Sequence, residues 1–172
     1  MKEIFQLLAE YNALTNREMI GVLSRLPAEK LAQDAGSFYK SILGLVNHVM
    51  LSDLAWLERF ARQWPELEPV RKRLPAIKVQ KLTDLVWDSL QAYGAVRQEL
   101  DETIRQAFRT IADGRYEEVL SYKNFRGEEQ KKIAWRAFLH FFNHQTHHRG
   151  QVALLLDQFK VENDYSNLIG KF

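Results

Sequence analysis

The sequence predicts an all-α protein: a four-helix bundle with one long crossover after its second helix and a small β-prone loop before its last long helix. Three observations carry that expectation. Only 8 Gly and 4 Pro interrupt the 172 residues, and Pro27, Pro65, Pro69 and Pro75 all lie in the first half, which leaves room for few and long helices. Apolar residues recur near a 3.6-residue spacing in long segments. The length is that of one ordinary domain, 1–172, able to bury roughly 70% of the surface of its unfolded chain without staples.

In order, the first helix carries Ile4, Leu7, Leu8, Tyr11, Leu14, Met19, Val22, Leu23 and Leu26 and stops at Pro27, whose ring cannot continue the hydrogen-bond ladder. The second runs from Phe38 to Phe60 with Ser37 as its N-cap. Trp64 to Lys81, with three prolines and mixed charge, is the crossover. Thr83 caps the third helix, which carries Leu85, Val86, Leu90, Tyr93, Val96, Leu100, Ile104 and Phe108 and ends at Asp113-Gly114. Tyr116 to Gly127 holds short β-prone pieces that read as a hairpin or ordered loop. The last helix, from about Lys131 to Lys160, has two apolar stripes, Trp135/Leu139/Phe142 and Ala134/Phe138/Phe141. Such a helix is buried on several sides, either at the centre of the bundle or at a dimer interface.

Composition excludes several functions. Lys plus Arg number 24 against 22 Asp plus Glu, a net charge of +2, too balanced for binding nucleic acid by bulk charge. With no cysteine there is no disulfide, thiolate zinc site, iron–sulfur cluster or cysteine nucleophile. The start lacks a signal-peptide pattern and no stretch reaches the roughly 18 apolar residues of a membrane span, so a soluble cytoplasmic protein is expected. HExxH, ExxH, P-loop, GxGxxG and GxSxG patterns are all missing. Trp56, Trp64, Trp87 and Trp135 fall on or beside helices and read as core or interface anchors.

The histidines are the most informative residues. Four of the five, His140, His144, His147 and His148, lie within nine residues of the last helix. His144 and His148 are one turn and about 40° apart, so both imidazoles can reach one point. His140 continues their row a turn away, and His147 points elsewhere. His48 lies on the second helix in a row of small residues, Ser41, Gly44, Ser52 and Ala55, which leaves space for a facing helix to bring His144 and His148 to it. Three imidazoles with an open further position suit a divalent ion such as Zn²⁺, Ni²⁺ or Fe²⁺. The alternative is a hydrogen-bonded core histidine at 48 and a polar helix face at 144 and 148. Asn47 and Asn143, each preceding a histidine, either orient a ligand or fix helix register. Gln151 reaches either the site or a neighbouring helix, Gly150 invites close backbone approach, and Arg149 reads as one half of a structural salt bridge.

Asn143-His144-Gln145-Thr146-His147-His148-Arg149-Gly150-Gln151 resembles the signature NHxTHHRGQ of the DinB-like (DinB/YfiT) family of proposed metalloenzymes. The resemblance recurs at Ser41-Ile42-Leu43-Gly44, Asn47-His48, Asp53, Trp56, Leu57 and Arg59. It extends to Tyr11-Asn12 through Leu26-Pro27 and to the Asn124-Arg126-Gly127-Glu128 loop. It implies the DinB-type four-helix bundle, His48, His144 and His148 as metal ligands, and a homodimer. It also implies either a thiol-dependent S-transferase or isomerase or a hydrolase. Because the chain has no cysteine, any thiol is a low-molecular-weight cosubstrate. The competing expectations are a non-catalytic metal-binding or stress-related dimeric bundle, in which a fourth protein ligand such as His140 closes the site, and a helical interaction module without metal. Substrate and metal identity stay open.

Overall fold

A computed structural model describes residues 1–77 and 79–172; the expected crossover includes Lys78, which lies outside the described residues. The chain is mostly helical, with one two-stranded antiparallel sheet. Four long helices, α1 (Lys2–Leu23), α3 (Ile42–Gln63), α5 (Leu90–Thr110) and α6 (Ala134–Gln158), pack with α1 along α5 and α3 along α6. Contacts of α1 with α6 and of α3 with α5 complete the core between them. Short helices α2 (Ala28–Ala32) and α4 (Glu68–Arg71) lie in the connections.

The apolar rows form the core largely as the spacing predicts, with corrections at the ends. On α1 the buried row includes Phe5, Ala9, Met19 and Leu23, while Ile4 and Leu7 are exposed. Asn12, Thr15 and Asn16 are buried in their place, the two asparagines because they bond a polar network between the helices. The N-cap of α3 is Ser41, whose hydroxyl accepts from Gly44 N at 3.1 Å, four residues past the expected Ser37. Residues 37–40 close a tight turn instead, with Lys40 at φ 68°, and Phe38 is exposed. Helix α5 is capped by Ser89, not Thr83; Leu85 and Val86 belong to the crossover and are exposed.

The expected β-prone loop is a hairpin, β1 (Val119–Lys123) and β2 (Glu129–Ile133), with Val119 opposite Ile133 and Lys123 opposite Glu129. Its turn is built by Asn124, whose Oδ1 accepts from Arg126 N and Glu128 N, and by Gly127 at φ 80°, a left-handed conformation that favours glycine. Strand β2 runs directly into α6, so Lys131 to Ile133 are strand and not helix. An aromatic cluster of Phe5, Phe60, Trp64, Phe108, Tyr116 and Phe138 seats this end of α6, edge to face around Phe138 except for Trp64, which is tilted. The outer stripe of α6 is solvent-facing at Leu139 and half-buried at Trp135, whereas Phe142 is buried. No helix of the described residues is long and apolar enough to cross a membrane.

Candidate metal centre

Two consecutive residues of α3 tie the crossover down. Asn47 is buried and uses its whole amide: Nδ2 donates to the carbonyls of Leu43 and Trp87, and Oδ1 accepts from the amides of Val86 and Trp87, all at 2.9 Å. His48 then donates from Nδ1 to the carbonyl of Leu82 at 2.9 Å. The asparagine thus fixes register, between a helix and the crossover. The bond to Leu82 also sets the His48 tautomer, leaving Nε2 without a hydrogen.

From α6, His144 and His148 bring their own Nε2 atoms to that nitrogen. The three separations are 3.1 Å (His48–His144), 3.2 Å (His48–His148) and 3.1 Å (His144–His148). His148 Nδ1 donates to Gln151 Oε1 at 2.7 Å, so its Nε2 is bare as well. Gln151 therefore orients a histidine, and through Nε2 it also meets His147 at 3.3 Å. Burial, reinforced by the neighbouring imidazole His148, pushes His48 down to about 4 against the bond to Leu82. Burial first, then the surrounding imidazoles, pushes His144 down to about 3, and burial lowers His148. All three rings are neutral at pH 7, the state a metal ligand needs.

Two bare Nε2 lone pairs and a third Nε2 converging at such distances form a donor set that a cation can occupy. Nitrogens bound at roughly 2.0–2.1 Å to a tetrahedral ion sit about 3.3 Å apart, close to the separations here. The donor set thus fits a divalent ion, and these three histidines are a group that could bind one. His140 does not join them: its ring centroid is 6.0 Å from that of His144 and it packs against Trp56 at 5.4 Å. His147 and Asn143 are exposed.

Other expectations change. The space beside Gly44 is not a cavity, since a Cβ there would lie 2.1 Å from the carbonyl oxygen of Tyr39. The glycine lets the 37–40 turn lie across the start of α3, and this delivers Tyr39, a residue the sequence reading missed, onto His48. A glycine four residues before the histidine is the one signal of it. Gly150 meets nothing within 4 Å and has no close neighbour to explain it. Arg149 is buried but makes no ion pair among the described residues; it donates to Asn12 Oδ1 and Thr146 Oγ1 and lies over the Tyr11 ring.

Arg149 and Asn12 belong to a buried polar network that joins all four long helices beneath the histidines. Arg97 donates to Asp53 Oδ2 at 2.6 Å and to Asp101 Oδ1 at 2.7 Å. Asn16 and Asn12 donate to Asp101, and Gln145 donates to Asp53 Oδ1 at 2.9 Å. Two carboxylates and two guanidiniums balance in charge, which is what makes their burial tolerable. The network anchors residues adjacent to the site, since Gln145 follows His144 and Asp53 lies little more than a turn beyond His48. Its sequence signals are pairs at i, i+4, Asn12/Asn16 and Arg97/Asp101, on otherwise apolar rows.

A family model described as the DinB family matches residues 1–163. The chain is 26% identical over 156 residues to "Protein DinB" of Bacillus subtilis (strain 168), covering 88% of this chain and 83% of that protein. No solved structure matches it. The family model covers nearly the whole chain, including both long helices that carry the three histidines: the chain belongs to the DinB family.

Proposed function

We propose that the protein is a metal-dependent enzyme, a single-domain four-helix bundle of DinB type, with His48, His144 and His148 as ligands of one Zn²⁺, Ni²⁺ or Fe²⁺ ion. The observation that supports it is the triangle of Nε2 atoms 3.1–3.2 Å apart, with two of the three tautomers set by bonds at Nδ1. The separation of His140 from the group supports an open coordination position over a closed structural site.

A bound divalent ion would supply Lewis acidity to a water or a thiol at that position. The residues of the chain do the rest. Leu82 and Gln151 hold two imidazoles in the ligating tautomer, Asn47 keeps the crossover over the site, and Tyr39 places a hydroxyl beside it. Among the described residues no carboxylate joins the three histidines, so proton movement falls to Tyr39 or to an exposed imidazole such as His147. The reaction we propose is transfer from a low-molecular-weight thiol cosubstrate, or hydrolysis, on a small molecule. A homodimer is the proposed assembly, and the solvent-facing Leu139 with half-buried Trp135 on α6 supports it.

Metal analysis by mass spectrometry tests the centre on tag-free protein prepared without added metal and after reconstitution. One ion per chain is expected, absent in His144→Ala. Gln151→Leu, at an exposed position, is expected to fold normally and to bind the ion about 10–100-fold more weakly. No ion in the wild-type protein under any of these conditions rejects the reading.

A further inference from the structure

The row of α3 that carries His48 continues through Ser52 and Ala55 to Arg59. Eleven residues bring the helix back to within about 20° of its starting direction, some 16 Å farther along the axis. Of the two small residues between the histidine and the arginine, Ser52 is buried and Ala55 is half-exposed, and helical side chains lean toward the N-terminus, so Arg59 leans back along the helix in the direction of His48. Its guanidinium lies over the rings of Trp56, Tyr122 and Phe125, at 4.6, 4.9 and 5.2 Å. Trp56 touches His140, whose ring neighbours His144, so an aromatic wall connects the two ends.

Arg59 borders a cavity of about 860 Å³ walled by α3, the crossover around Leu74 to Ile77 and the tip of the hairpin. That is a size suited to a small-molecule ligand. Leu54, Ile77, Val79 and Phe125 give it an apolar lining. Its charges are one-sided: Arg59, Arg62, Arg71, Lys72 and Lys123 against Glu58. The Glu58 carboxylate is already shared by Arg62 and Arg71 at 2.7 and 3.2 Å. Among the described residues Arg59 has neither a carboxylate within 4.0 Å nor a hydrogen-bond acceptor. Three rings strip water from its faces and leave its edge donors without a partner, an arrangement completed by an incoming anion.

We infer that this cavity binds a small molecule with an apolar body and a terminal carboxylate or phosphate, the anion seated on Arg59 and the other end directed past Ala55 and along the Trp56–His140 wall toward the histidines. For what happens at that far end the inference rests on the proposed metal centre; the anion seat stands independently of it. An overall charge of only +2 hides the patch, because the acids that balance it lie elsewhere on the chain.

Calorimetric titration of the full chain with 4-phenylbutyrate, phenyl phosphate and the neutral 4-phenylbutyramide tests the seat. At least one anion is expected to bind about tenfold or more tighter than the amide, as a charge-assisted bidentate contact provides. Whichever anion is preferred identifies the headgroup. Arg59→Gln removes the preference while leaving amide binding unchanged, and Arg59→Lys keeps part of it. His144→Ala retains it, so failure of the metal centre and failure of the anion seat are told apart. Equal affinity of wild-type protein for acids and amide, absence of binding by all three, or anion binding that a folded Arg59→Gln protein retains in full overturns the inference.

Discussion

Tyr39 lies face to face with His48, ring centroids 4.1 Å apart, and its hydroxyl stands 2.9 Å from His48 Nε2, the nitrogen turned toward His144 and His148. Because Nδ1 of His48 donates to Leu82, the phenol is the donor to Nε2 in the metal-free chain. Burial raises Tyr39 above its ordinary value of 10.0, so it keeps its proton through the neutral range.

Once the Nε2 lone pair is engaged by an ion, that hydroxyl is free to donate to a group entering the site. Tyr39→Phe keeps the stacking ring and all three imidazoles. Its metal content is expected to equal that of the wild type, while the visible absorption of the Co²⁺-substituted protein shifts. Turnover of any substrate found by screening is expected to fall by about 10² or more, the scale of a lost proton donor. An unchanged spectrum together with unchanged turnover would reduce Tyr39 to a packing residue.

The site and the rest of the fold were legible in the sequence to different degrees, for a physical reason. His144 and His148 are read from helical period alone, because one turn of helix fixes their relation whatever the tertiary structure. The helix starts are not so fixed. Ser37 and Ser41 both precede apolar residues, and Ser41 caps because the 37–40 turn packs against Gly44. Leu85 and Val86 look like the beginning of a helix, but the adjoining backbone is committed to the side chain of Asn47. Tyr39 reaches His48 through that same turn, a tertiary event with only Gly44 to announce it. Asn12, Asn16, Asp53 and Arg97 look like surface residues one at a time; only their mutual satisfaction across four helices accounts for their burial.

The cation at the centre of that network is Arg97. It is fully buried and bonds both Asp53 and Asp101. Arg97→Met leaves two carboxylates buried near each other without their cation, a change expected to cost about 3–5 kcal/mol. Arg97→Lys keeps the charge but cannot span both acids, and it should fall between the two. Urea unfolding midpoints at neutral pH measure the series. A loss under about 1 kcal/mol for Arg97→Met would mean that water already solvates the two acids.

Stability of the metal-free protein should also depend on pH with a definite sign. Burial holds His48 at about 4 and His144 at about 3, against 6.5 ordinarily, so the unfolded chain binds more protons than the folded one. Stability is then lost as pH falls from about 6.5 toward these values. Asp53 acts the opposite way: burial, against the pull of Arg97, raises it from 3.8 to about 6, and its protonation favours the folded state as pH falls through that range. The histidine contribution is therefore read as a difference between proteins. Unfolding midpoints of metal-stripped wild type and His144→Gln are compared at about pH 7.5 and about pH 5, a window that spans the unfolded histidine value. The wild type is expected to lose more stability across that window than the variant, and Zn²⁺ at the higher pH to raise the wild-type midpoint alone, since the ion binds where protons otherwise compete. Parallel pH dependence in the two proteins would mean that His144 titrates alike folded and unfolded, and would overturn the prediction.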